Sequence, residues 1–155
     1  MMFRTHIVFS LLAGLLVMNF FEFNKYLFIA IVLIFGAMPD MDHPNSKLGR
    51  KIKILSWPIK FIFGHRKMLH SLTFLAPICL FFWIFFNDWW IPVAVGYASH
   101  LIADGLTKDG INFIYPFKRF SIKGPVETGG VLEAILFYLV LGLDVFIIIK
   151  DIKMF

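Results

Sequence analysis

The residues able to do chemistry fall in a few short stretches of this chain. His6 is expected just before the first helix, and PDMDH occupies Pro39–His43. GHRKMLHS covers Gly64–Ser71, SHLIAD covers Ser99–Asp104, and Glu133 follows a glycine pair. Imidazole and carboxylate together are the ligands of zinc, manganese and iron(II), or of magnesium where histidines are fewer. His100 and Asp104 are four residues apart, hence on one helical face and able to grip the same ion. Pro39 predicts a turn in which Asp40 and Asp42, two apart in an extended segment, point the same way. His65 and His70 bracket a helix start. Arg66, beside His65, has the fork of donors that would stabilise developing phosphoryl charge, or it is one more basic residue at a membrane face. Taken singly, Asp40 and Asp42 read as a polar turn and His100 with Asp104 as a helix-end pair. Taken together they read as a site for at least one divalent ion.

These groups must be positioned by a chain that is otherwise apolar. Of 155 residues, 59% are hydrophobic before glycine is counted, 20 are phenylalanine and only 16% are charged. Soluble domains average about 45–50% with glycine included, so a soluble globular monomer and intrinsic disorder are both excluded. The length fits one domain, 1–155. The single cysteine, Cys79, lies in an apolar run and excludes a disulfide framework. Apolar runs occur at Ile7–Phe21, Tyr26–Met38, Leu72–Phe86, Trp89–Ala103 and Val131–Ile149. Most are shorter than the ~20 residues that an upright helix needs to cross ~30 Å of hydrocarbon. The expectation is an all-α integral membrane protein with about five transmembrane or partly inserted helices. Ser46–Phe63 mixes basic and apolar residues and is expected to lie on the membrane as an amphipathic segment, broken at Trp57–Pro58.

Charge sets the expected topology. With the N-terminus cytoplasmic and five alternating crossings, the inner side holds Arg4, then Lys47, Arg50, Lys51, Lys53, Lys60, Arg66 and Lys67, then Lys108, Lys118, Arg119 and Lys123. Those are 12 of the 15 basic residues, as the positive-inside rule expects of a plasma-membrane protein. The net charge of +5 is then a topology signal and an attraction to anionic lipid, with no nucleic-acid partner expected. The same topology brings His6, Asp40, Asp42, His43, His65, His70, His100, Asp104 and Glu133 to one membrane face, a convergence that the apolar pattern did not require. Nine candidates exceed the four ligands of a closed zinc site, which points to two or more ions or to one ion with hydrogen-bonded support. Asp40, Asp42, His65, His70, His100 and Asp104 are the principal ligands, His6 completes the cluster, and the general base is Glu133, or Asp42 where it is not a ligand. His43 is the weakest histidine. Glu127, Asp109 and Asp144 read as ordinary loop or interfacial carboxylates.

At these residues the sequence resembles the LexA-regulated, membrane-bound metal-dependent hydrolases, a prokaryotic family. The resemblance is carried by THIVFS at 5–10, PDMDHP at 39–44, GHRKMLHS at 64–71, GYASHLIADGLTKDGI at 96–111, YPF at 115–117 and GGVLE at 129–133. Leu69 departs from the family's usual threonine, which removes a hydroxyl but no ligand. The resemblance implies a metal-dependent hydrolase site built on the matching His and Asp residues. A more distant similarity links the pattern to zinc-dependent phospholipase C enzymes. The expected function is hydrolysis of a phosphoester, such as a phospholipid, at the cytoplasmic face. The rivals are a metal-ion transporter or sensor, and a scaffold with a structural metal. Transport would need polar groups along the membrane interior, where the sequence offers little beyond Asn19 and Asp144.

Overall fold

The ends of the helices decide where the polar residues meet. The computed structural model describes residues 1–42, 69–117 and 121–153. The expected amphipathic segment Ser46–Phe63, with His43, His65 and Arg66, lies outside them. Five α-helices are described: α1 Phe3–Val17, α2 Lys25–Ala37, α3 Leu72–Phe86, α4 Trp90–Gly105 and α5 Val131–Lys153. A two-stranded antiparallel ribbon, β1 Ile111–Asn112 and β2 Ser121–Ile122, lies between α4 and α5, with Ile111 opposite Ile122.

Three stretches are long and apolar enough to cross a membrane: Phe3–Phe20, Leu72–Gly105 and Val131–Asp151. The middle one is not a single rod. Asn87, at φ 53°, ends α3 in a conformation that asparagine tolerates better than most residues. The chain then folds back, so that the Tyr97 hydroxyl of α4 donates to the Leu69 carbonyl just ahead of α3. Each arm of this hairpin is about 22–24 Å long, short of the hydrocarbon thickness. The 13 residues of α2 span about 20 Å, so α2 is too short to cross upright. Among the described helices α5 alone, at about 35 Å, exceeds the membrane core by itself.

Small residues let the helix backbones approach. A Cβ on Gly96 of α4 would run into the backbone carbonyl of Val32 in α2, and one on Gly36 would run into the side chain of Ser10 in α1. Without a hydrophobic drive between helices in lipid, such close contacts and interhelical hydrogen bonds hold the bundle together. Ser10 Oγ and Ser99 Oγ are 2.9 Å apart, and Ser99 also donates to the Gly96 carbonyl at 2.7 Å. Below this layer Leu15, Met18, Phe28 and Val32 form one apolar cluster. Leu75, Tyr97, Leu101 and Ile111 form another, which ties the α3–α4 hairpin to the ribbon.

Candidate metal centre

The first residue of the site sits deeper than its sequence position implies. His6 lies within the first turns of α1, not ahead of it, and is buried. The close approach at Gly36 and Ser10 holds α1 against α2, and that at Gly96 holds α4 against α2. His6 is one turn before Ser10 and His100 one turn after Gly96, so the two imidazoles stack, with ring centroids 3.9 Å apart and planes 15° from parallel.

His100 Nδ1 lies 2.8 Å from the Gly36 carbonyl. Gly36 is in the last turn of α2, where carbonyls lack intrahelical partners. A carbonyl can only accept, so Nδ1 carries the proton and Nε2 keeps its lone pair. That Nε2 is 3.5 Å from Asp104 Oδ2 and 3.9 Å from Asp40 Oδ1. His70 Nε2 stands at the same two distances from the same two oxygens. His6 Nε2 is 3.2 Å from Asp104 Oδ1, and the Met1 amino group meets that oxygen at 2.9 Å. Two sets of ligand atoms result, His6–His100–Asp104 and Asp40–His70–His100, each lying within 4.8 Å. His100 belongs to both.

The donor set fits divalent ions. The Nε2 of His100 and both ring nitrogens of His6 are buried and make no hydrogen bond of acceptable geometry among the described residues. Buried polar atoms normally find partners; here they converge on two carboxylates at distances too long or too oblique for hydrogen bonds, as ligands around a shared ion do. Around Asp40, burial pushes the carboxyl up, while the His70 imidazole beside it, then His100 and His6, pull it down. The balance holds it below the usual aspartate range, ionised as a ligand must be.

The other expected site residues are placed differently. Asp40 and Asp42 lie in a short 3-10 helix, Met38–Asp42, not in an extended turn. With about three residues per turn, positions two apart do not share a face, so the argument that paired Asp42 with Asp40 fails; the Asp42 side chain is outside the described set. Glu133 is buried in the first turn of α5, but its oxygens accept the main-chain N–H groups of Met2 and Gly129, each at 2.6 Å. Gly129 reaches this contact at φ 79°. Glu133 thus ties α5 to the residue that opens α1. Asp144, read from sequence as interfacial, is 1% exposed within α5, and neither oxygen has a hydrogen-bond partner among the described residues. Glu127 is an exposed loop carboxylate, as expected, and pairs with Lys108 at 2.7 Å.

Sequence reasoning passed over Gly36, Ser10 and Gly96. Each was visible as a small residue inside an apolar run, with Ser10 four residues after His6 and Gly96 four before His100.

Fold and site define a helical membrane protein with a histidine–aspartate pocket at one end of its bundle. Comparison with known proteins carries the assignment further. The chain belongs to the YdjM inner membrane protein family, whose model matches residues 1–154. It is similar to the uncharacterized protein YvsG of Bacillus subtilis, 32% identical over 138 residues that cover 84% of this chain and 83% of that one. It is also similar to the inner membrane protein YdjM of Escherichia coli and to that of Shigella flexneri, each 36% identical over 106 residues. These matches cover 62% of this chain and 54% of theirs, so the chain spans about half the length of the YdjM proteins it matches. No solved structure matches.

Proposed function

We propose that the protein is a membrane-bound, metal-dependent hydrolase acting on a phosphoester, such as a phospholipid, at the cytoplasmic membrane face. The observation that carries this reading is the placement of His100. Its Nδ1 proton is committed to the Gly36 carbonyl, and its Nε2 faces both Asp104 and Asp40. The resemblance to LexA-regulated, membrane-bound metal-dependent hydrolases points the same way.

His6, Asp40, His70, His100 and Asp104 would hold the divalent ion or ions, the one lone pair left on His100 Nε2 serving a single ion, and His65 would join them. Zinc, manganese or iron(II), if bound there, would supply Lewis-acid charge to the phosphoryl oxygens and lower the pKa of water. Asp42 accepts the proton of the attacking water as the new P–O bond forms; the ester P–O bond breaks and the leaving alcohol takes up a proton. Arg66, which lies outside the described residues, is the sequence's candidate for stabilising the charge that develops on the phosphoryl oxygens. Glu133, both of whose oxygens are engaged, keeps α1 and its His6 in register and leaves the base role to Asp42. The positive-inside distribution of Lys and Arg orients the N-terminus and the pocket toward the cytoplasm.

The test is purified protein loaded with zinc or manganese and offered phospholipid vesicles and a panel of soluble esters, phosphoesters and amides. Release of headgroup or phosphate, lost in His100→Ala and in Asp104→Asn, is the expected result. A metal-loaded protein that turns over nothing in the panel contradicts the proposal. Asp144 favours one other reading, a metal-ion transporter, because it is a buried carboxylate lacking a hydrogen-bond partner among the described residues, in a helix long enough to span the bilayer. Metal uptake into proteoliposomes that is lost in Asp144→Asn would favour transport.

A further inference from the structure

The loop between α4 and α5 stands at the pocket end of the bundle and has no part in the site described above. Its root is fixed. The amide of Leu72, at the start of α3, donates to the Phe113 carbonyl at 2.9 Å. Gly124 N–H and Val126 N–H donate to the carbonyls of Thr107 and Leu106, at 2.9 and 3.0 Å. Ile111 is buried against Leu75, Tyr97 and Leu101, with Phe113 packed alongside. Phe113 also lies against Gly105, the neighbour of Asp104.

The outward side of the same loop has a different chemistry. Ile114, Ile122 and above all Phe117, 81% exposed, present apolar surface away from the core. Between Asp109 and Glu127 the sequence carries Lys118, Arg119 and Lys123 and no acidic residue. The loop leaves α4 where that membrane helix ends, which is the level of the lipid headgroups. Exposed aliphatic and aromatic side chains interleaved with basic ones are what an anionic membrane interface binds, through apolar insertion and attraction to lipid phosphates.

We propose that this loop docks on the anionic phospholipid headgroups of the leaflet at the pocket end, with Ile114, Phe117 and Ile122 entering the interface and Lys123 meeting the phosphates. The docking steadies the segment that backs Asp104 and presents headgroups at the pocket's edge. It requires neither bound metal nor hydrolysis, so it stands or falls apart from the proposed function.

The experiment uses the full chain with Cys79→Ser, a cysteine introduced by Phe117→Cys and an environment-sensitive fluorophore attached there. The protein is reconstituted in phosphatidylcholine vesicles with or without phosphatidylglycerol; Ile122→Cys serves as a second reporter and Glu127→Cys as an aqueous reference. In vesicles containing phosphatidylglycerol, the labels at 117 and 122 should be shielded from iodide and quenched by lipids spin-labelled high in the acyl chain. Removing phosphatidylglycerol, or introducing Lys123→Glu, should reduce that lipid quenching at least about twofold, one basic residue near an anionic surface being worth about fivefold in affinity. Three results would overturn the proposal: iodide quenching at 117 and 122 equal to that at 127, shielding without lipid quenching, and lipid quenching indifferent to both phosphatidylglycerol and Lys123→Glu.

Discussion

The two ends of the helix bundle are built from the same helices and have opposite chemistry. At one end, the starts of α1, α3 and α5 and the finishes of α2 and α4 gather His6, Asp40, His70, His100, Asp104 and Glu133. At the other end the turns meet through aromatic rings: Phe23 packs edge-on against Phe28 and Trp89, and Phe86 packs against Trp89. The aromatic end tolerates slack, because apolar rings accept many packings in a lipid setting. The polar end does not, because an imidazole a turn out of place would be a buried polar group with no partner. Stability and site geometry are therefore separable here, and substitutions at the two ends should divide them.

The largest effect is expected from His100→Ala, which removes a ligand from both metal groups. Metal affinity should fall more than about 100-fold, beyond the 10–100-fold typical of losing an outer-shell partner, while the apo-protein loses about 1–3 kcal/mol with the Gly36 hydrogen bond. Gly96→Val should affect both properties. Its side chain meets the Val32 backbone, so it should cost about 3 kcal/mol of stability, near the top of the range for overpacking, and weaken metal binding by displacing α4. Phe28→Ala at the aromatic end should cost about 3 kcal/mol, seen as a lower melting temperature in detergent, yet leave metal affinity within about twofold.

The smallest effect belongs to Glu127, away from both ends. The hydrogen bond from Lys108, and then its charge, hold the Glu127 carboxyl below the usual glutamate value. A carboxyl lowered in the folded state contributes stability above its unfolded pKa and loses it as pH falls through the folded one. The melting difference between wild type and Glu127→Gln should therefore be small at neutral pH and vanish in acid, with metal binding unaffected throughout. A pH-independent difference would contradict the assignment.

The sequence made the class of fold and much of the pocket legible, because apolar runs mark helices and because alternating helices return to the same end. Asp104 and His100 could be paired by helical spacing alone. His6 was placed outside its helix because the apolar run begins at Ile7, whereas the helix begins at Phe3; hydropathy does not mark a first turn that is buried for its polar side chains. Asp40 was assigned to an extended turn because Pro39 suggested one, but proline is equally at home in the first turn of a helix. Asp144 was misread because burial on one helix face is set by neighbours that a single sequence does not name. The break at Asn87 and the short α2 were legible, because the apolar runs Leu72–Phe86 and Tyr26–Met38 nearly coincide with α3 and α2.

The central claim is that the converging imidazoles and carboxylates hold metal. Elemental analysis of protein purified without added metal, beside His100→Ala prepared the same way, tests it most directly. The account predicts a divalent transition metal bound to the wild type, at about one ion per chain or more, and lost from the variant. Wild-type protein that is metal-free as purified, and that takes up no zinc, manganese or iron on titration, would contradict it.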